Sequence, residues 1–150
     1  MGSGDSRDCF KVAAGLLARR EHSVNELRTK LRARAFDETM IADTLERLRR
    51  EGLVCDERFV DAYVRSRANR GFGPVRVRQE LLGHGVDETL IEHYLALVDW
   101  TALANGVWRK RFKGTVPDGG SAWLKQARFL QYRGFGMEHI KGLMGSDDWD

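Results

Sequence analysis

Six residues set the architecture of this chain: Phe36-Asp37-Glu38-Thr39-Met40-Ile41, which return fifty residues later as Val86-Asp87-Glu88-Thr89-Leu90-Ile91. A weaker copy, Phe135-Gly136-Met137-Glu138-His139-Ile140, follows forty-nine residues after the second. The apolar helical pattern that precedes each copy recurs as well. Self-similarity at a period of this length is typical of stacked helical units. The repetition therefore predicts three copies of one unit.

Each unit is predicted to contain three helices. In the first unit, apolar residues between Phe10 and Leu17 follow the spacing of a helix with one buried face. Ser23 and Glu26 form a capping box for the next helix, because the serine accepts from a free backbone N–H and the glutamate reaches back to another. Asp37 caps the third helix, and Asp87 holds the equivalent position in the second unit.

The sequence predicts an all-α protein with three tandem three-helix (helix-turn-helix-like) repeats in an elongated, curved arrangement. Only two prolines occur in 150 residues, which argues against an all-β fold. A single unit of this length has little core of its own, so stacking would bury its remaining apolar face. We expect repeats at residues 9–54, 55–98 and 99–145, with flexible termini at 1–8 and 146–150.

The composition indicates a cytoplasmic protein without membrane contact. Cys9 and Cys55 share no CxxC motif and are too few for a disulfide framework. The longest apolar runs fall well short of the roughly 18 residues of a membrane span, and the polar start lacks the apolar core of a signal peptide. We expect a cytoplasmic monomer.

The residue types that usually perform catalysis or bind metals are scattered. His22, His84, His93 and His139 lie in three units and accompany no HExxH motif or cysteine pair. The glycines of Gly71-Phe72-Gly73 precede no Lys-Ser/Thr ending and follow no strand, which excludes a nucleotide loop. We therefore predict no enzyme activity, no metal, no cofactor and no small-molecule substrate.

Positive charge is concentrated in two stretches. Residues 62–79 hold five arginines and no acid, and residues 100–137 hold seven basic residues and one acid, Asp118. The formal net charge of +3 and this clustering favour an anionic partner. Because the charge is spread over units, it suits phosphate backbones or an acidic protein surface better than sequence-specific reading by one helix.

Helical spacing separates two kinds of arginine. At 100° per residue, Arg65 and Arg76 lie away from the apolar faces, where we expect them to be free to meet a partner. Arg67 and Arg78 fall beside those faces. We expect the latter two to pack their stems on apolar surface and to pair with carboxylates.

Four segments together resemble the RecX family of bacterial regulators of the recombinase RecA. The central and most specific one is Gly71-Phe72-Gly73-Pro74-Val75-Arg76-Val77-Arg78-Gln79-Glu80-Leu81. It is preceded by a similar opening at residues 56–67, and residues 23–31 and 128–135 are similar to the first and last family units. The resemblance covers roughly residues 9 to 145.

This resemblance implies a protein that binds RecA filaments on single-stranded DNA, with a possible weak direct affinity for DNA. It implies inhibition of the ATPase, strand exchange and coprotease activities of RecA, in homologous recombination, DNA repair and the SOS response. For partner binding we predict Arg65, Arg70, Arg76, Arg109, Lys110, Arg111, Lys113, Arg128 and Arg133. For structure we predict Ser23, Glu26, Asp37, Arg67, Gly71, Gly73, Pro74, Arg78 and Asp87. The alternative is a nonspecific nucleic-acid-binding helical module independent of RecA.

Overall fold

The computed structural model describes residues 5–145, and this part of the chain contains nine α-helices and no strand. The all-α prediction is therefore confirmed. No helix in the described part is long and apolar enough to cross a membrane. The helices are α1 (Ser6–Arg19), α2 (Val24–Ala33), α3 (Glu38–Arg50), α4 (Asp56–Asn69), α5 (Pro74–Gly83), α6 (Glu88–Leu95), α7 (Trp100–Phe112), α8 (Gly120–Arg133) and α9 (Met137–Met144).

The first helix begins earlier than expected. Of the segments predicted to be flexible, residues 1–4 and 146–150 lie outside the described residues. Residues 6–8, in contrast, belong to α1, because an Asp5 carboxylate oxygen accepts from the backbone N–H of Asp8 at 2.9 Å and so caps the helix.

Side-chain caps fix the starts of the helices that the sequence predicted. The capping box is present: Ser23 Oγ accepts from the Glu26 N–H at 3.0 Å, and Glu26 Oε1 accepts from the Ser23 N–H at 3.4 Å. Asp37 accepts from the Met40 N–H at 2.9 Å at the start of α3. Pro74 is the first residue of α5, where its missing N–H costs nothing.

The chain divides into two compact units, Met1–Ala62 with Leu81–Leu90 and Tyr63–Glu80 with Ile91–Asp150. The helices of the predicted repeat at 55–98 each contribute residues to both units.

Aliphatic side chains of α1, α2 and α3 form the core of the first unit. Around it, Ser23 Oγ donates to the backbone oxygen of His84 at 3.0 Å, and His84 meets the Phe59 ring edge-on at 5.3 Å. These contacts attach the turn after α5 to the start of α2 and to α4. The core residues are Cys9, Ala13, Leu27, Leu31, Ile41, Leu45, Leu48 and Val54.

Aromatic and aliphatic side chains together form the core of the second unit, where α7, α8 and α9 meet. The buried side-chain amide of Gln126, on α8, makes two hydrogen bonds. Its Oε1 accepts from Trp108 Nε1, on α7, at 2.7 Å, and its Nε2 donates to the Thr115 oxygen at 3.0 Å. The second bond ties the connection between α7 and α8 to α8 itself. The buried apolar residues of these helices and the turn before α9 are Trp100, Ala104, Trp108, Trp123, Ala127, Leu130, Phe135, Ile140 and Met144.

Candidate functional site

A groove of about 550 Å³ lies in the second unit, where the end of α4 and the following turn meet α7 and α8. Four cationic residues line it: Arg70, Lys110, Arg111 and Arg133. None of the described residues that line it is acidic. The remaining lining is largely apolar and includes Ala68, Gly71, Leu103, Gly106, Val107 and Phe129. We call this feature the basic groove.

Arginines and phenylalanine rings alternate beside and within the basic groove. The guanidinium carbons of Arg67 and Arg76 lie 4.1 and 4.2 Å from the centroid of the Phe72 ring. Arg133 lies 5.3 Å from the Phe72 centroid and 5.6 Å from that of Phe129. Each arrangement is a cation–π contact, which holds the guanidinium group in place at little cost in hydration.

Glu80 fixes two of these arginines. Arg67 donates from Nε to Glu80 Oε1 at 2.9 Å and from Nη2 to Oε2 at 2.7 Å, a two-pronged pair. The Tyr63 hydroxyl donates to Oε1 at 3.0 Å, and Arg76 Nε donates to Oε2 at 3.4 Å. One carboxylate thus joins three side chains, of which the two arginines lie over the Phe72 ring.

The surroundings of Glu80 keep its carboxylate ionised. Burial by itself would raise the pKa of Glu80, but hydrogen bonds from Arg67 and Tyr63 outweigh burial and lower it below the ordinary value. Burial and the Glu80 carboxylate raise the pKa of Tyr63 to about 12, so its hydroxyl remains a donor. The cluster therefore keeps its charges throughout the neutral range.

Two glycines bring the start of α5 against the end of α8. Gly73 N–H donates to the Arg133 oxygen at 2.8 Å, and Val75 N–H donates to the Gly134 oxygen at 2.9 Å. A Cβ on Gly73 would lie 2.5 Å from the Gly134 backbone, which no side chain tolerates. Gly134 also has φ of +102°, in the region that favours glycine. These contacts hold Arg133 at the edge of the groove.

The structure brings together four of the residues predicted to bind a partner. Arg70, Lys110, Arg111 and Arg133 come from three separate segments and converge on the basic groove. Arg133 Nη1 also donates to the Arg70 backbone oxygen at 3.2 Å, which joins two of these segments. The other exposed cations predicted for binding lie outside the groove lining: Arg65, Arg109, Lys113 and Arg128.

Arg76 is not free, in contrast to the expectation from helical spacing. Its side chain is only 34% exposed, pairs with Glu80 and stacks on Phe72. Helical spacing considers only the face that α5 itself buries. It cannot register that Phe72, from the preceding turn, and Gly134, directly after α8, also lie against Arg76.

Both arginines expected to pair with carboxylates do so, but the two pairs differ in how exposed they are. Arg67 is 16% exposed in its pair with Glu80. Arg78 pairs with Glu92, with side-chain exposures of 37% and 53%. Because the Arg78–Glu92 pair is well hydrated, we expect its loss to lower the free energy of unfolding by no more than about 1 kcal/mol. Loss of one partner from a buried pair would lower it by more. Asp87 lies exposed directly before α6.

Within residues 5–145, no three His, Cys, Asp or Glu side chains come close enough together to hold a metal ion. Cys9 is buried and Cys55 partly so, and both are free thiols.

Models of one family match most of the chain. Residues 9–48 match the first three-helix domain of RecX, residues 56–95 the second and residues 99–144 the third. The chain belongs to the RecX family. Its relatives include the regulatory protein RecX of Pseudomonas entomophila (strain L48), which is 41% identical over 140 residues, or 92% of this chain and 90% of that protein.

Other RecX proteins agree over similar lengths. The regulatory protein RecX of Halorhodospira halophila (strain DSM 244 / SL1) is 44% identical over 141 residues, or 93% of this chain and 88% of that protein. The crystal structure of RecX from Lactobacillus salivarius superposes with a TM-score of 0.79 at 21% identity, over 92% of this chain and 93% of that one. This last likeness concerns the fold alone.

Two of the RecX-like segments meet in the structure. The central segment, residues 71–81, contains Gly73, Arg76 and Glu80, and the last segment, residues 128–135, supplies Arg133 and Gly134. Their backbones are hydrogen-bonded to each other beside the basic groove. Much of what makes the RecX resemblance specific is therefore concentrated at one place.

Sequence patterns gave no functional role to five residues within or beside the groove: Phe72, Glu80, Leu103, Val107 and Phe129. Side chains four residues apart lie next to each other on a helix. Glu80 follows Arg76 by four residues, and this spacing could have indicated their pairing. Nothing comparable points to Phe72, which lies in a turn.

Proposed function

We propose that this RecX-family protein regulates RecA by binding RecA filaments on single-stranded DNA. The observation that carries the proposal is the basic groove, which joins four cations from three segments in a chain whose relatives are named regulatory proteins. An acid-free cationic surface is suited to phosphates or to acidic protein surface.

In this proposal the protein transforms no substrate and acts as a monomer. It inhibits ATP hydrolysis, strand exchange and coprotease activity by lodging in the filament groove or by promoting disassembly. The exposed cations Arg65, Arg109, Lys113 and Arg128 extend the contact beyond the basic groove. The repeats at residues 9–54, 55–98 and 99–145 provide the framework.

The proposal is tested by measuring DNA-dependent ATP hydrolysis by RecA with increasing amounts of this protein. We expect inhibition at amounts well below one molecule per RecA subunit, at low salt. Unchanged hydrolysis at an equimolar amount would contradict the proposal.

The second candidate is a nonspecific nucleic-acid-binding module, which the absence of acids from the described groove lining also favours. This candidate predicts tight binding to a bare oligonucleotide, with an affinity that falls steeply as salt is raised. Micromolar or weaker binding to the oligonucleotide, together with inhibition of RecA, favours the protein partner.

A further inference from the structure

The basic groove has room for an apolar side chain beside its cations. Leu103 and Val107 line it from α7 and are partly exposed. A Cβ on Gly106, which also lines the groove from α7, would meet no atom within 4 Å. On another side, a Cβ on Gly71 would lie 3.2 Å from Val107 Cγ2. The lining thus combines an aliphatic wall with open space.

The groove offers a poor platform for nucleic-acid bases. Single strands that bind without sequence preference stack their bases on exposed aromatic side chains. The Phe129 ring in the lining is already engaged: Arg111 and Arg133 lie 5.4 and 5.6 Å from its centroid, and the Phe112 ring meets it edge-on at 5.4 Å. An incoming base would have to displace these contacts.

The cations of the groove are arranged to receive carboxylates. Arg111 and Arg133 contact aromatic rings, and a guanidinium group held in that way still presents N–H groups along its edge to a carboxylate. Arg70 and Lys110 are exposed and line the same groove. Acidic side chains on either side of an apolar one would find partners here.

We infer that the basic groove docks an acidic peptide segment that carries an apolar anchor residue. The apolar residue fits against Leu103 and Val107, and its acidic neighbours pair with the surrounding cations. The inference rests on the proposed function for the existence of a macromolecular partner, and it identifies protein, rather than nucleic acid, as the occupant of this groove.

The test uses a fluorescent peptide of aspartate and glycine with two central leucines, titrated with the full chain. The variant Gly106→Leu fills the groove, and we expect it to weaken peptide binding at least tenfold, in the way that blocking a central pocket does. The same substitution in open space on α1, Gly15→Leu, is the matched control and should leave binding unchanged. Thermal unfolding of both variants should show a melting temperature no lower than that of the parent chain, because leucine favours a helix over glycine.

Two further comparisons measure separately what the apolar anchor and the cations contribute to peptide binding. Replacing the two leucines of the peptide by glycine should weaken binding about tenfold. Lys110→Glu should also weaken it severalfold, whereas Lys125→Glu, on α8 outside the groove lining, should not.

Equal binding of the leucine and glycine peptides would overturn the inference, and so would full binding by Gly106→Leu. The inference would also be overturned if a thymidine oligonucleotide bound the parent chain more tightly than the leucine peptide did and bound Gly106→Leu more weakly. The groove would then be a nucleic-acid site. Inhibition of RecA that persists in any of these cases leaves the proposed function standing, so the two failures are distinguishable.

Discussion

Glu80 joins several charged and polar side chains beside the basic groove. Its carboxylate binds Arg67 through two hydrogen bonds and accepts a third from Tyr63. With 27% exposure of Glu80 and 16% of Arg67, the pair is sheltered enough for its hydrogen bonds to contribute measurably. Loss of the carboxylate would leave a mostly buried guanidinium without its partner.

We predict that Glu80→Gln lowers the free energy of unfolding by about 2 kcal/mol at pH 7. Because the folded pKa of Glu80 lies below its ordinary value of 4.5, this stabilisation is complete above about pH 4.5 and is lost as the pH falls through the folded pKa. Urea unfolding at a series of pH values should show the two chains converging in acid.

Glu57→Gln is a suitable control for this measurement, since Glu57 lies exposed in the first turn of α4. Glu57→Gln should lower the free energy of unfolding by a few tenths of a kcal/mol at most, because it removes a negative charge that interacts favourably with the helix dipole. A Glu80→Gln chain as stable as the parent at pH 7 would show that the cluster adds nothing to stability.

Residue-level features were predictable where they depend on neighbours in the sequence. The Ser23 and Asp37 caps depend on backbone groups three residues away, and both are present. Arg76 depends on Phe72 and on Gly134, which lies fifty-eight residues later. Its half-buried state could not be predicted because helical spacing carries no information about which other segment covers a face.

At the scale of elements, the backbone before α5 and the backbone after α8 approach each other closely at Gly73 and Gly134. The sequence predicted a structural role for Gly71 and Gly73. The structure assigns Gly73 an additional role, since its backbone lies directly against Gly134 and donates to the Arg133 oxygen. Helix positions followed from local patterns, whereas this junction depends on the tertiary arrangement.

Gly73→Ala is predicted to lower the free energy of unfolding by about 3 kcal/mol, because its Cβ would lie 2.5 Å from the Gly134 backbone and the helices would have to separate. Gly15→Ala, inside α1 with no atom within 4 Å of the added Cβ, should instead raise it by about 0.5–1 kcal/mol. Denaturant unfolding monitored by circular dichroism measures both. Similar effects from the two substitutions would contradict the close approach.

At the scale of the whole molecule, a modest net charge of +3 hides a strongly uneven distribution. The all-α fold and the two basic stretches were predictable from repeats and composition. The convergence of Arg70, Lys110 and Arg133 on one groove was not, because those residues lie up to sixty-three positions apart in the chain. Location, rather than total charge, should therefore decide how strongly the protein binds an anionic partner.

Charge reversals that change the total equally can separate these two effects. Lys110→Glu, in the basic groove, and Lys11→Glu, exposed on α1, each reduce the net charge from +3 to +1. We predict that Lys110→Glu raises the concentration needed for half-inhibition of RecA ATP hydrolysis about tenfold at low salt, and that Lys11→Glu changes it less than twofold. Raising the salt should narrow the difference, because exposed charges are screened within about 10 Å at 0.1 M. Equal losses in the two variants would mean that net charge alone attracts the partner and that the basic groove has no special part in binding.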